Sequence, residues 1–112
     1  MIVDGAVTWI TGNSWAGKTT LAKKLIKPGE ILLDGDAMRA VWPGLGFTKE
    51  DRIEQNMRIA RMAKELSSQG FNVIVATICP YRSLRADVQR ITRCRFIYLE
   101  GGKEGKDYPY EH

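Results

Sequence analysis

Eight consecutive residues, Gly12-Asn13-Ser14-Trp15-Ala16-Gly17-Lys18-Thr19, carry the most specific chemistry in this chain. They satisfy G-x-x-x-x-G-K-[ST], the loop whose backbone N–H groups turn inward around the phosphates of a nucleotide. In such a loop the Lys side chain reaches the β- and γ-phosphates and the hydroxyl of the last residue ligates Mg²⁺. The helix that follows would add its positive N-terminal end to the same anion site. Trp15 stands where a small residue is usual. It either turns outward and packs on the surface or lays its indole against a ligand. A non-Gly residue there also carries strain if the position needs φ > 0.

Two acids come next, in Asp34-Gly35-Asp36. A carboxylate facing a phosphate loop can take the proton of an acceptor hydroxyl or hold Mg²⁺ through water, while Lys18 offsets charge on the γ-phosphate. The plain alternative for Asp-Gly-Asp is a solvated turn. Arg39, one turn beyond Asp36, and Arg52 could each clamp an anion bidentately, although an isolated Arg is more often simply solvated.

The elements that must position these residues can be read from periodicity. Ala6–Ile10 is an apolar, β-rich run before the loop, and Thr20–Ile26 has helical spacing, stopped by Pro28-Gly29. Glu30–Leu33 reads as a second strand delivering Asp34 and Asp36 at its carboxyl end, followed by a short helix over Ala37–Trp42. Thr48 is an N-cap candidate, with Asp51 as capping-box partner, for a helix from Lys49 to Gln69. Ile53, Met57, Ala60 and Ala63 form its apolar stripe, widened by Ile59, Met62 and Leu66, and its methionines are core filler. Phe71–Ile78 is the clearest buried strand. Leu84, Val88 and Ile91 mark another amphipathic helix, and Arg95–Leu99 a fourth strand. Alternating strands and helices predict a parallel sheet covered on both faces, with ligands beyond the carboxyl ends of the strands. The expected fold class is therefore α/β, a P-loop NTPase-type three-layer sandwich with a small parallel sheet of about four strands. A single domain is expected over residues 1–112, with 99–112 a polar tail.

Composition sets the bounds. One core fits 112 residues; 44% hydrophobic and 27% charged content are ordinary for a soluble globular chain. No apolar run approaches the roughly 20 residues of a membrane helix, and no signal peptide is visible, so a cytoplasmic protein without a membrane partner is expected. Cys79 and Cys94 form no C-x-x-C pair, and with a single His there is no zinc constellation. The net charge of +4, spread among acids, favours a small anionic ligand over a nucleic-acid footprint. An open sheet edge would suit a homodimer.

Four ordered motifs sharpen this reading: Trp9-Ile10-Thr11-Gly12 into the loop, Leu33-Asp34-Gly35-Asp36-x-x-Arg39, Leu45-Gly46-Phe47-Thr48-x-Glu50-Asp51-Arg52 and Ile78-Cys79-Pro80-Tyr81-Arg82-x-x-Arg85. Over residues 6 to 99 the chain resembles adenylylsulfate kinase, the family that phosphorylates the 3′-hydroxyl of adenosine 5′-phosphosulfate with MgATP. The resemblance implies that Gly12–Thr20 binds ATP, with Thr19 and Asp36 toward Mg²⁺. Asp36 is the implied catalytic carboxylate beside Lys18, with Asp34 in support. Arg39, Phe47 and Arg52 are implied to bind the acceptor, Phe47 by stacking on adenine, with Gln55 and the Ile78-Cys79 backbone lining the same pocket. The family has Asn where Gln55 stands; Asn56, one residue late, is expected to point elsewhere. Cys79 replaces a Ser. After Leu99-Glu100 the family's Arg-Asp-x-Lys-Gly-Leu-Tyr lid has no counterpart. Gly101–Lys106 instead leads to Asp107-Tyr108-Pro109-Tyr110-Glu111, similar to the family's later Asp-x-Tyr-Glu stretch. Lys103 and Lys106 are solvated tail charges or a minimal substitute for the lid. Two other functions stay open: a kinase for another small-molecule or polynucleotide hydroxyl, and a non-catalytic ATP-binding protein.

Overall fold

The computed structural model describes residues 3–13, 16–102 and 109–112. Strand β1 (Val7–Gly12) leads through the loop into helix α1 (Lys18–Leu25). Strand β2 (Ile31–Asp34) runs directly into α2 (Gly35–Val41), and the long α3 (Lys49–Ser68) precedes β3 (Val73–Ala76). Helix α4 (Arg82–Thr92) and strand β4 (Arg95–Leu99) follow, and these are the elements among the described residues. The four strands form one parallel sheet in the order β2-β3-β1-β4.

The period of two along each strand sorts the core into two layers. Val7 and Trp9 of β1, Val73 and Val75 of β3 and Leu33 of β2 face one cluster. There they meet Met38 of α2, Ile59, Ala60 and Ala63 of α3, and Leu84 and Val88 of α4. The alternate residues, Ile10, Ile74 and Ala76, face a smaller cluster around Ala22 of α1. Helices therefore cover both faces, giving the three layers expected. Trp9, fully buried, anchors the larger layer and packs on Phe96 at 6.2 Å between ring centroids. A ring of this size buried whole is worth more than any aliphatic neighbour.

Several boundaries differ from the pattern in the sequence, each for a local reason. β3 is shorter than Phe71–Ile78. At its start Asn72 is engaged sideways, its side chain accepting from Ala6 N at 2.8 Å and its carbonyl from Ile31 N at 3.0 Å. At its end Thr77 N still donates to Ile10 O at 3.2 Å, but Thr77 and Ile78 then line a cavity and the pairing stops. β1 runs two residues past Ile10 because Thr11 and Gly12 still pair with Tyr98 and Leu99. Gly12 is required there: a Cβ would lie 2.6 Å from Leu99 O, and its φ is +148°. Thr48 does cap α3, accepting from Asp51 N at 3.1 Å. The Asp51 carboxylate does not complete the box; it accepts from Gly46 N at 2.9 Å and so fixes the preceding turn.

The end of the chain is less polar in its packing than in its composition. Tyr110 is only 8% exposed and packs at a tilt against Tyr98, with ring centroids 4.9 Å apart. Among the described residues no helix is long and apolar enough to cross a membrane.

Candidate active site

A cavity of about 490 Å³ opens at the carboxyl ends of the strands, where the first turn of α1, the β2–α2 junction, the first half of α3 and the exit of β3 meet. Three cations, Lys18, Arg39 and Arg52, and two acids, Asp34 and Asp36, line it.

Its phosphate side begins at Gly17, which caps α1 with φ +94°, a conformation that L side chains rarely adopt. The amides that follow are therefore free of a side-chain cap and open the helix toward the cavity. Lys18 Nζ donates to Asn13 O at 2.7 Å, folding the side chain back along the loop. Burial pulls the Lys18 pKa below its ordinary value, against the charges of Asp36 and then Asp34, which act to raise it. Thr20 lines the cavity as well. Ser14 and Trp15 lie outside the described residues, and so do Lys103 and Lys106.

Asp34 and Asp36 are not a solvated turn. Asp34 is the N-cap of α2, accepting from Asp36 N at 3.2 Å through Oδ1. Its other oxygen, Oδ2, accepts from the Thr19 hydroxyl at 3.3 Å. One carboxylate thus joins the phosphate loop to the second strand. Asp36, on the first turn of α2, is exposed at the cavity wall. Thr19 Oγ1, Asp34 and Asp36 offer hard oxygen donors and more than one negative charge, a set that fits Mg²⁺ held jointly with phosphate oxygens. Among the described residues no group of three His, Cys, Asp or Glu forms an all-protein metal cage.

The opposite wall is built around Phe47, which is 66% exposed. Arg39 Cζ lies 4.0 Å from its ring centroid and Arg52 Cζ 5.5 Å. Both arginines also hold the turn itself: Arg39 Nη1 donates to Gly46 O at 2.8 Å and Arg52 Nε to Phe47 O at 3.0 Å. Cation–π contact and hydrogen bonds together present the ring to the cavity. Gln55 lines the wall with its Nε2 on Gly35 O at 3.0 Å. Asn56 does not point elsewhere. It lines the same cavity, and its Nδ2 donates to Arg52 O at 2.9 Å and Ile78 O at 3.3 Å. Both amides are almost wholly buried: from adjacent positions on α3, Gln55 reaches the β2–α2 junction at Gly35 and Asn56 the exit of β3 at Ile78. Ile78 lines the cavity; Cys79 is not among the lining residues. Its side chain is buried in the larger core cluster and its carbonyl is taken by Arg85 Nη1 at 2.7 Å. Burial pushes the Cys79 thiol up to about 12, against the opposing charge of Arg85.

Gly35, Asn56, Ala76 and Thr77 were the lining residues that sequence reasoning missed. A buried polar residue on the apolar side of an amphipathic helix was the available signal for Asn56. Thr77, at the last step of an apolar strand, gave none.

A parallel sheet in this order, with a Gly-rich loop passing from its first strand to the N-terminus of a helix, defines the P-loop kinase fold. Comparison with known proteins narrows the class. A family model described as adenylylsulphate kinase matches residues 4–100. The adenylyl-sulfate kinase of Myxococcus xanthus is 46% identical over 95 residues, 78% of this chain and 50% of that protein. The probable adenylyl-sulfate kinase of Archaeoglobus fulgidus is 46% identical over 86 residues, 70% of this chain and 56% of that protein. Among solved structures, the Mycobacterium tuberculosis APS kinase CysC in complex with AMPPNP and APS superposes with a TM-score of 0.70 at 30% identity. That match covers 86% of this chain and 61% of the other. The chain belongs to the adenylylsulfate kinase family. It spans about half the length of the curated relatives it matches.

Proposed function

We propose that this chain transfers the γ-phosphoryl group of ATP to the 3′-hydroxyl of adenosine 5′-phosphosulfate. One observation carries the reading. A single cavity joins a phosphate loop, a strand-end acid bonded to that loop's Thr19, and an exposed aromatic ring flanked by two arginines. The first two suit a nucleotide's phosphates; the third suits an adenine ring carrying an anionic tail.

In this reading the loop from Gly12 to Thr20 orients the triphosphate and Lys18 offsets charge on the γ-phosphate. Mg²⁺, when bound by Thr19 and the Asp34/Asp36 carboxylates, supplies further charge neutralisation at the phosphates. Phe47 stacks on the acceptor's adenine, and Arg39 and Arg52 face its phosphosulfate. Gln55 and Asn56 close the wall behind it. Asp36 takes the proton of the 3′-hydroxyl as its oxygen bonds to the γ-phosphorus, and ADP leaves with the electrons of the broken P–O bond. Asp34 holds Asp36 in place through the α2 cap and ties it to Thr19.

An acceptor panel tests this. With labelled ATP and Mg²⁺, adenosine 5′-phosphosulfate should be the preferred acceptor over adenosine 5′-phosphate, a hexose and an oligonucleotide 5′-hydroxyl. Preference for any of the other three would assign the site to a different acceptor.

A further inference from the structure

The four residues Pro109–His112 return to the carboxyl end of the sheet and touch both halves of the cavity's support without lining it. The Tyr110 hydroxyl lies 3.2 Å from Thr11 Oγ1, and both side chains are buried. Thr11 precedes Gly12, the residue at which the chain leaves β1 to become the phosphate loop. Glu111 contacts the other half. Its N–H donates to Pro80 O at 2.7 Å, and its Oε1 accepts from Arg82 N at 2.8 Å. That carboxylate caps α4, whose own N-cap residue, Tyr81, makes no side-chain cap bond. Arg85 binds the two halves together. It donates to Cys79 O at 2.7 Å and to Glu111 O, and its guanidinium lies 4.5 Å from the Tyr110 ring centroid. Cys79 and Pro80 continue directly from Thr77 and Ile78, which line the cavity.

We propose that Tyr110 is a positioning residue for the phosphate loop, acting through Thr11, within a strap (Pro109–His112) that also holds the Cys79–Arg82 segment. The inference rests on the reading that Gly12–Thr20 holds ATP. Its physical basis is that loop amides bind phosphate only when their directions are fixed beforehand. The exit of β1 is fixed by its pairing with β4, by Thr77 N donating to Ile10 O at 3.2 Å, and by this hydroxyl pair. Removing the Tyr110 hydroxyl leaves the Thr11 hydroxyl buried and without that partner, a cost that a shift of the β1 exit would relieve. The Tyr110 ring keeps its contacts with Tyr98, His112 and Arg85 in a Phe variant.

The test is a calorimetric comparison of Tyr110→Phe, Thr11→Val and the double variant with the wild-type chain. Each is titrated with a non-hydrolysable ATP analogue plus Mg²⁺ and, separately, with adenosine 5′-phosphosulfate. Either single change should weaken the ATP analogue about fivefold, the net worth of one neutral hydrogen bond. Acceptor affinity should be unchanged, and the double variant should bind no worse than the weaker single. A Tyr110→Phe protein with a lowered Tm but wild-type nucleotide affinity would overturn the proposal, leaving the contact purely structural. Equal weakening of both ligands, or additive losses in the double variant, would overturn it too. If Tyr110→Phe fails to fold, the isosteric Thr11→Val variant carries the same comparison. A wild-type chain that binds no ATP analogue would refute the ATP reading itself, and the strap's role would fall with it.

Discussion

Phe47 presents the clearest contrast between energetic cost and exposure. Its ring is 66% exposed, yet two arginines hold its turn in place by hydrogen bonds and lie over its face. If it stacks on the acceptor's adenine, Phe47→Ala should raise the KM for adenosine 5′-phosphosulfate about tenfold, the scale of one base–aromatic stack, with the KM for ATP unchanged. Steady-state kinetics varying each substrate in turn reads this directly. Cys79 is the opposite case. Its thiol is pushed from the ordinary 9.0 to about 12 by burial, so the fold favours the protonated form. That contribution is complete below pH 9 and is lost as pH rises from 9 toward 12. Iodoacetamide at pH 8 should therefore leave Cys79 unmodified in the folded chain, as mass spectrometry of the intact protein would show. The alkaline decline in unfolding free energy should become shallower in Cys79→Ala.

At the scale of elements, α3 carries Arg52, Gln55 and Asn56 of the wall around Phe47, and its start is held by the Thr48 cap and the Asp51–Gly46 bond. Thr48→Ala should cost about 1 kcal/mol of stability, seen as a lower urea midpoint with unchanged slope. The same helix explains what could and could not be read from sequence. Its apolar stripe was legible: Ile59, Ala60 and Ala63 are buried where a period of 3.6 puts them. Its first half was not legible from periodicity, which treats a polar residue as solvent-facing: Arg52 and Gln55 were reached through the family resemblance, and Asn56, buried and facing the same cavity, was missed. The phosphate loop, Asp34/Asp36 and Phe47 were legible because local motifs carry them. Asp34's bond to Thr19 joins two such motifs and needed the sheet order to appear. The Thr11–Tyr110 pair spans 99 residues and no local pattern announces it. The short extent of β3 likewise follows from the Asn72 side chain bonding Ala6 N and from Thr77 and Ile78 lining the cavity.

Across the whole molecule, the described residues proposed to hold the two ligands lie on one open side. Asp36 and Phe47 are exposed, and the cavity's mouth faces solvent. Kinases close such a mouth to keep water from the transferring phosphate. The open geometry predicts slow ATP hydrolysis when no acceptor is present, detectable as acceptor-independent phosphate release and suppressed when adenosine 5′-phosphosulfate occupies the Phe47 wall. Release that is unaffected by the acceptor would mean the two ligands do not share the cavity. The most direct measurement is transfer itself, with γ-labelled ATP, Mg²⁺ and adenosine 5′-phosphosulfate at high enzyme, comparing the wild-type chain with Asp36→Asn. The account predicts a labelled 3′-phospho product from the wild type and a loss of about 10²-fold or more in the variant, with ATP affinity retained. No labelled product from the wild type, or equal product from Asp36→Asn, would contradict it.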